Sequence, residues 1–233
     1  MKLETLPDAG AVAARAARWL AAAARDAVAA RGRFAFAVSG GRTPWQMLRA
    51  LAAEDVPWRK VHLFQVDERV APAGHPDRNL THVRESLLGS VDLPPGNLHP
   101  MRVEDADLRT AAFRYQRELE AVAGAPAVLD AVHLGLGADG HTASLVPGDA
   151  VLAVDGADVA ITGTYAGHVR MTLTYPVIDR ARALLWVVTG AEKAPVLPRL
   201  LDGDRSIPAG RVRSLRALVL ADRAAAADLA PTR

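Results

Sequence analysis

Four short apolar runs in this chain each break off into a turn rich in glycine or charge. "RFAFAV" leads into "SGGRTP", "KVHLFQV" into "DERVAP", "LDAVHL" into "GLGADGH", and "ALLWVV" into "TGAEK". Segments with helical periodicity separate the runs. Alternation of this kind restricts the fold to α/β with a mostly parallel sheet. Such sheets bind ligands at the carboxyl ends of their strands, so the four polar ends point to one edge of the molecule.

Residues 8–31 are Ala-rich and predict a long helix with Asp8 as N-cap and Gly32 as terminator. The pattern predicts a second helix over residues 43–54, with Thr43 as N-cap and Pro44 in its first turn. A third is expected over 79–89, capped by Asn79 and closed by Gly89, and further helices over 105–124 and 191–201. Residues 158–164 and 168–175 carry the β-branched and aromatic residues of strands. Residues 216–222 are the last expected strand, with a short Ala-rich helix after it. No repeat or low-complexity linker divides the 233 residues, so residues 1–233 are expected to form a single domain.

Composition removes several functions. There is no cysteine, which excludes disulfides, thiolate nucleophiles and Cys-based zinc sites. Net charge is +2 and no basic block is interleaved with aromatics, so nucleic acid is not an expected partner. No run approaches the roughly 20 apolar residues that span a bilayer, and "MKLETLPDAG" lacks the apolar core of a signal peptide. A cytoplasmic protein, monomeric or a small homo-oligomer, is the expectation. No H-x-x-x-H, Cys/His cluster or EF-hand spacing suggests a metal, and no G-x-S-x-G elbow presents a serine nucleophile.

The glycines of "GLGADGHTASLVPG" satisfy G-x-G-x-x-G at Gly135, Gly137 and Gly140. A dinucleotide fingerprint needs a following crossover helix, and here Pro147 and Gly148 interrupt almost at once. That reading fails. His141 follows Asp139 and Gly140 at a strand end, where an imidazole can take a proton from water and return it. The other six histidines are read as surface or core residues. "SGGRTP" has the character of a phosphate cradle, with Gly40 and Gly41 admitting a ligand to a helix N-terminus; an ordinary strand-to-helix turn reads the same way. In "DER", Asp67 could orient a base or substrate hydroxyls and Arg69 could hold an oxyanion, against a reading as solvated charge. Lys193 and Arg170 are placed to meet a phosphate, or to be ordinary surface residues.

Taken in order, "SGGRTP", "DERVAP", "HPDRNLTHVRESLL", "GLGADGHTASLVPG", "RMTLTYPVI" and "TGAEKA" resemble the 6-phosphogluconolactonases. These are the lactonase branch of a group that also holds glucosamine-6-phosphate deaminases. The resemblance implies a three-layer α/β/α Rossmann-like fold without a cofactor. It also implies hydrolysis of a small phosphorylated sugar lactone in the oxidative pentose phosphate pathway. By position, His141 resembles the general base, and Asp67 and Arg69 fall on residues associated with the reacting end of the sugar. Ser39, Gly40, Gly41, Arg42, Arg170 and Lys193 fall on phosphate-binding segments, Asn79 in a motif facing the pocket. Asp139 and Gly140 belong to the turn itself, Asp139 holding either the loop or the imidazole. Arg42 departs from the family's common "SGGS". Deaminases continue from the histidine into an "AFNEP"-like segment with a glutamate, which "TASLVPG" lacks. The alternatives are that deaminase and a non-catalytic sugar-phosphate sensor on the same fold.

Overall fold

The computed structural model describes residues 1–213 and 216–229. The first half contains β1 (Lys2–Leu6), α1 (Ala9–Arg31), β2 (Phe34–Val38), α2 (Arg42–Ala52), β3 (Val61–Gln65), β4 (Asp67–Arg69), α3 (Asn79–Ser86), β5 (Leu98–His99) and α4 (Leu108–Ala123). The second contains β6 (Ala131–Leu134), β7 (Val159–Ile161), β8 (Arg170–Leu173), α5 (Tyr175–Arg180), β9 (Leu184–Val188), α6 (Leu197–Leu201) and β10 (Ala217–Asp222).

Seven strands form a parallel sheet in the order β1-β10-β9-β6-β2-β3-β5. Its inner strands are covered on both faces. On β2, Phe34, Phe36 and Val38 pack in the layer of α1, α2 and α3, whereas Ala35 and Ala37 join Tyr115 and Leu119 of α4 in the opposite layer. Burial on both faces is why these strands read as continuous apolar runs rather than alternating ones. The result is the expected α/β/α sandwich.

The Asp8 side chain accepts from Ala11 N at 2.8 Å and Gly32 closes α1 with a φ of 74°. Its buried stripe of Ala13, Ala16, Ala17, Ala21, Ala24 and Ala27 recurs at helical spacing, and the small side chains let α1 lie close against its neighbours. Among the described residues, no helix is long and apolar enough to cross a membrane.

A second sheet, β4-β8-β7, is antiparallel. The chain changes sheets at Val66, whose N–H donates to Val38 O at 2.9 Å while its carbonyl accepts from Leu173 N at 2.8 Å. "DER" is therefore a strand in its own right, not the frayed end of β3.

Several expected boundaries are corrected. Gly41, not Thr43, is the N-cap of α2; the Thr43 hydroxyl reaches across to Thr189 Oγ1 at 2.7 Å instead. Arg78, not Asn79, occupies the cap of α3, and the helix stops at Ser86, well short of Gly89. The segment 191–201 begins as a 3-10 turn, Ala191–Lys193, before α6. Residues 223–229 run in turns rather than a helix, and the remainder of that expectation lies outside the described residues. The strand β1 was not expected; its backbone pairs with β10 along the sheet edge.

Ala17, with no exposed surface, tests the close packing of α1. Ala17→Leu is expected to lower stability by about 1–3 kcal/mol through overpacking. Arg18→Ala on the exposed side should change it by less than about 0.5 kcal/mol. Urea denaturation midpoints distinguish the two.

Candidate active site

Sheet order reverses between β2 and β6. From β2 the chain builds outward through β3 and β5, and from β6 through β9 and β10 on the other side. The connections diverge above the carboxyl ends of β2 and β6, which is where open α/β sheets leave a crevice. An open cleft of about 270 Å³ occupies it, near the lower end of the size range of small-molecule sites. Ser39, Gly40, Gly41, Arg42, Asp67, Arg69, His141, Arg170 and Lys193 all line this cleft. Asn79, Asp139 and Gly140 do not line it and stand behind the residues that do.

One wall is the turn from β2 into α2. No side chain caps the N-terminus of α2, so its first N–H groups and the positive end of its dipole are available to an anion. The turn is anchored from below by His133, fully buried on β6, whose Nδ1 accepts from Ser39 N at 3.2 Å. Burial drives the His133 pKa down to about 3, so the ring stays neutral and keeps that acceptor. Thr189, bonded to Thr43, ties this turn to the one carrying Lys193. The Lys193 ammonium lies 3.7 Å from Glu192, which also lines the cleft.

The floor comes from β4. Asp67 is buried, and its Oδ2 accepts from Ser144 Oγ at 2.7 Å while Oδ1 accepts from Ser39 Oγ at 3.3 Å. Its carbonyl accepts from Asn79 Nδ2 at 2.9 Å. Asn79 then offers Oδ1 to the Arg69 guanidinium at 2.5 Å, and Asp77 O accepts from the same Nη1 at 3.2 Å. Gly40 sits directly against Asn79, where any Cβ would fall 1.9 Å from Oδ1.

Glu68, pointing the other way, has no exposed surface. Its Oε1 accepts from Asn79 N at 2.8 Å and its Oε2 from Leu80 N at 2.8 Å. A carboxylate from another strand thus caps α3, which explains why no residue of the helix supplies its own cap. The buried Arg78 lies 3.2 Å from Glu68 and donates to Ala71 O at 2.8 Å.

The turn after β6 presents the imidazole. His141 Nδ1 lies 2.6 Å from Asp139 Oδ1, which also accepts from His141 N at 3.1 Å. The second carboxylate oxygen of Asp139 accepts from the Tyr165 hydroxyl at 3.0 Å. Partial burial acts to raise the Asp139 carboxyl, but the donors from His141 and Tyr165 together hold it below the usual carboxylate value. An ionised carboxylate only accepts, so the proton of the neutral imidazole sits on Nδ1 and the lone pair of Nε2 is free. Gly137 explains one glycine of the motif: an added Cβ would meet His141 Nδ1 at 2.1 Å. Gly140 explains another, with a φ of 83° and a Cβ position 2.6 Å from Ile207.

Arg170 faces Arg69 directly across the β4–β8 ladder. Burial lowers its pKa, and the neighbouring Arg69 lowers it further. Its guanidinium carbon lies 5.1 Å from the centre of the Tyr165 ring. Two cations side by side on one wall, Arg170 buried and Arg69 half-buried, favour an anion beside them.

Sequence reasoning missed Ser144, Glu68, Arg78, His133 and Tyr165. No local signal marks them, because each acts on a partner that the fold brings from elsewhere in the chain. Among the described residues no three His, Asp or Glu side chains gather in a group able to hold a metal.

Fold and cleft together define an open parallel α/β protein with a cleft rich in cationic side chains and a carboxylate-paired histidine at its switch point. The family model for glucosamine-6-phosphate isomerases/6-phosphogluconolactonase matches residues 7–220, and the chain belongs to that family. The chain is 36% identical over 235 residues to the 6-phosphogluconolactonase of Nostoc sp., covering 97% of this chain and 98% of that one. The solved 6-phosphogluconolactonase of Trypanosoma brucei superposes with a TM-score of 0.87 at 26% identity, covering 98% of each chain. A monomeric glucosamine-6-phosphate deaminase superposes nearly as well, with a TM-score of 0.85 at 18% identity over 98% of this chain and 100% of that chain. The fold is therefore common to both chemistries.

Gly137→Ala is expected to break the pairing of His141 with Asp139 while leaving the chain folded, visible as displaced His141 ring resonances in NMR spectra. Glu68→Ala removes one of the two carboxylates beside the buried Arg78, leaving Glu104 at 3.1 Å, and uncaps α3, with an expected loss of about 2–4 kcal/mol on chemical denaturation.

Proposed function

We propose that this chain hydrolyses 6-phospho-D-glucono-1,5-lactone to 6-phospho-D-gluconate, the lactone-opening step of the oxidative pentose phosphate pathway, in the cytoplasm and without a cofactor. The observation that carries the reading is the His141 imidazole, held through Nδ1 by Asp139 at 2.6 Å, in a cleft shared with Lys193, Arg170 and an uncapped helix N-terminus. The lactonase names of the relatives support the reaction. The site draws on both sheets, which supports treating residues 1–233 as one domain.

A δ-lactone is an activated ester, and water is a sufficient nucleophile once deprotonated. His141 Nε2 takes a proton as the water oxygen bonds to C1, and Asp139 steadies the imidazolium that forms. Arg69, aligned by Asn79, meets the oxyanion developing on the carbonyl. The imidazolium then returns its proton to the ring oxygen as the bond from C1 to that oxygen breaks. Residues 39–42, Arg170 and Lys193 receive the phosphate, and that remote binding energy holds the carbonyl against the base. Asp67 contributes by fixing Ser39 and Ser144, and so the spacing of the two loops.

Ser144 also argues against the deaminase. The segment following His141 buries a hydroxyl on Asp67 and brings no further carboxylate to the cleft.

Hydrolysis of freshly generated 6-phosphogluconolactone, measured against its spontaneous rate, tests the reading. Acceleration by the wild type is expected, with His141→Ala losing about 10²–10⁴-fold in kcat and Lys193→Ala chiefly raising KM. Ammonia release from glucosamine-6-phosphate without lactone hydrolysis would overturn it.

A further inference from the structure

The hairpin joining β7 to β8 lies at the rim of the cleft, and its side chains take no part in the steps above. Ala166 and Gly167 at its tip have φ of 47° and 84°. Tyr165 N donates to His168 O at 2.9 Å across them, and His168 N to Tyr165 O at 3.2 Å. Two successive left-handed residues inside a bonded pair form the turn that matches strand twist, so the hairpin's register is well specified. His168 docks it at the opposite side, with Nε2 3.0 Å from Asp77 Oδ2 and Nδ1 3.3 Å from Val70 O. The loop it docks on is the one that receives Arg69.

Tyr165 is thereby held between the two working ends of the cleft. Its hydroxyl occupies the Asp139 oxygen that His141 does not use, so both oxygens of that carboxylate are pinned. Its ring meets the His141 ring edge-on at 5.4 Å between centres and carries the Arg170 guanidinium. Arg170 Nη2 also donates to Tyr165 O at 3.3 Å, while the buried Arg170 Nε has no partner. The seat of Arg170 is therefore largely the tyrosine itself.

We propose that Tyr165 is a positioning residue for lactone hydrolysis, aligning the base through Asp139 with its hydroxyl and the phosphate-binding Arg170 with its ring. The inference rests on the lactonase reading above. It separates into two effects because the two contacts come from different parts of one side chain. Loss of the hydroxyl frees one Asp139 oxygen and loosens the imidazole, a penalty on the chemical step. Loss of the ring unseats Arg170, a penalty on binding that only a phosphorylated substrate experiences.

The test compares 6-phosphogluconolactone with unphosphorylated glucono-1,5-lactone on wild type, Tyr165→Phe, Tyr165→Leu, Asp139→Ala and the Asp139→Ala, Tyr165→Phe double variant. Circular dichroism checks that each is folded. Tyr165→Phe is expected to lower kcat about tenfold on both lactones with little change in KM. In the Asp139→Ala background the same substitution should cost less than about twofold, since the group it acts through is gone. Tyr165→Leu should in addition raise KM about fivefold for the phosphorylated lactone alone. If the Leu variant does not fold, the Phe variant and the double variant carry the test. Wild-type kcat in Tyr165→Phe, or an undiminished loss in the Asp139→Ala background, overturns the proposal. So does a KM increase in Tyr165→Leu that is equal for both lactones. A wild type that accelerates neither lactone overturns the functional reading together with it, and is distinguished by appearing before any variant is compared.

Discussion

Asp67 and Glu68 are adjacent acids on one three-residue strand, both buried, and the rest of the site is arranged around satisfying them. A buried carboxylate without donors costs several kcal/mol, so each must collect its partners from whatever the fold brings near. Asp67 draws in Ser39 from the turn after β2 and Ser144 from the segment after β6. Glu68, on the other face of the strand, collects the first N–H groups of α3 and the Arg78 guanidinium. One acid sets the spacing of the two loops that bound the cleft. The other fixes the helix whose first residue, Asn79, aligns Arg69. Because these bonds join buried groups, they are stiff, and a site built on them needs little reorganisation when a substrate enters.

The cations are distributed differently. Arg69 and Arg170 stand opposite each other in the β4–β8 ladder, an arrangement that repels in isolation. The carboxylates of Asp67 and Asp77 lie near enough to offset part of that repulsion, while the helix end at Gly41 and the ammonium of Lys193 add further positive potential across the cleft. A doubly charged phosphate, bound as proposed, would relieve this imbalance, and the field that favours it would also steer it in. The histidine stands on the turn after β6 with its own carboxylate, Asp139, while the two arginines stand on the β4–β8 ladder.

Much of the architecture is legible in the sequence. The ends of α1 follow from Asp8 and Gly32, and the strands β2, β3, β6 and β9 from apolar runs of a length suited to a sheet covered on both faces. The convergence of "SGGRTP", "DER", "GLGADGH" and "TGAEK" on one edge follows from parallel connectivity. The errors cluster where a side chain has a choice of partner. Thr43 and Asn79 are good N-caps by local chemistry, yet Thr43 spends its hydroxyl on Thr189 and Asn79 spends its amide on Asp67. Residues 2–6 gave no convincing strand signal because an edge strand so short depends on β10 for its conformation.

The sequence by itself determined the class of fold, the edge on which a ligand binds and the turn that offers a histidine, because these rest on periodicity, caps and glycines within a few residues of one another. Only the tertiary structure decided which nitrogen of His141 is free, what caps α3, and which side chain seats Arg170. Those answers depend on bonds across long separations: Ser144 to Asp67 spans 77 positions and Ser39 to His133 spans 94. Such a bond forms when two surfaces pack and each buried polar group must find the donor or acceptor left to it. No local pattern records that outcome, since the same serine or tyrosine would be an ordinary surface residue on a different neighbour.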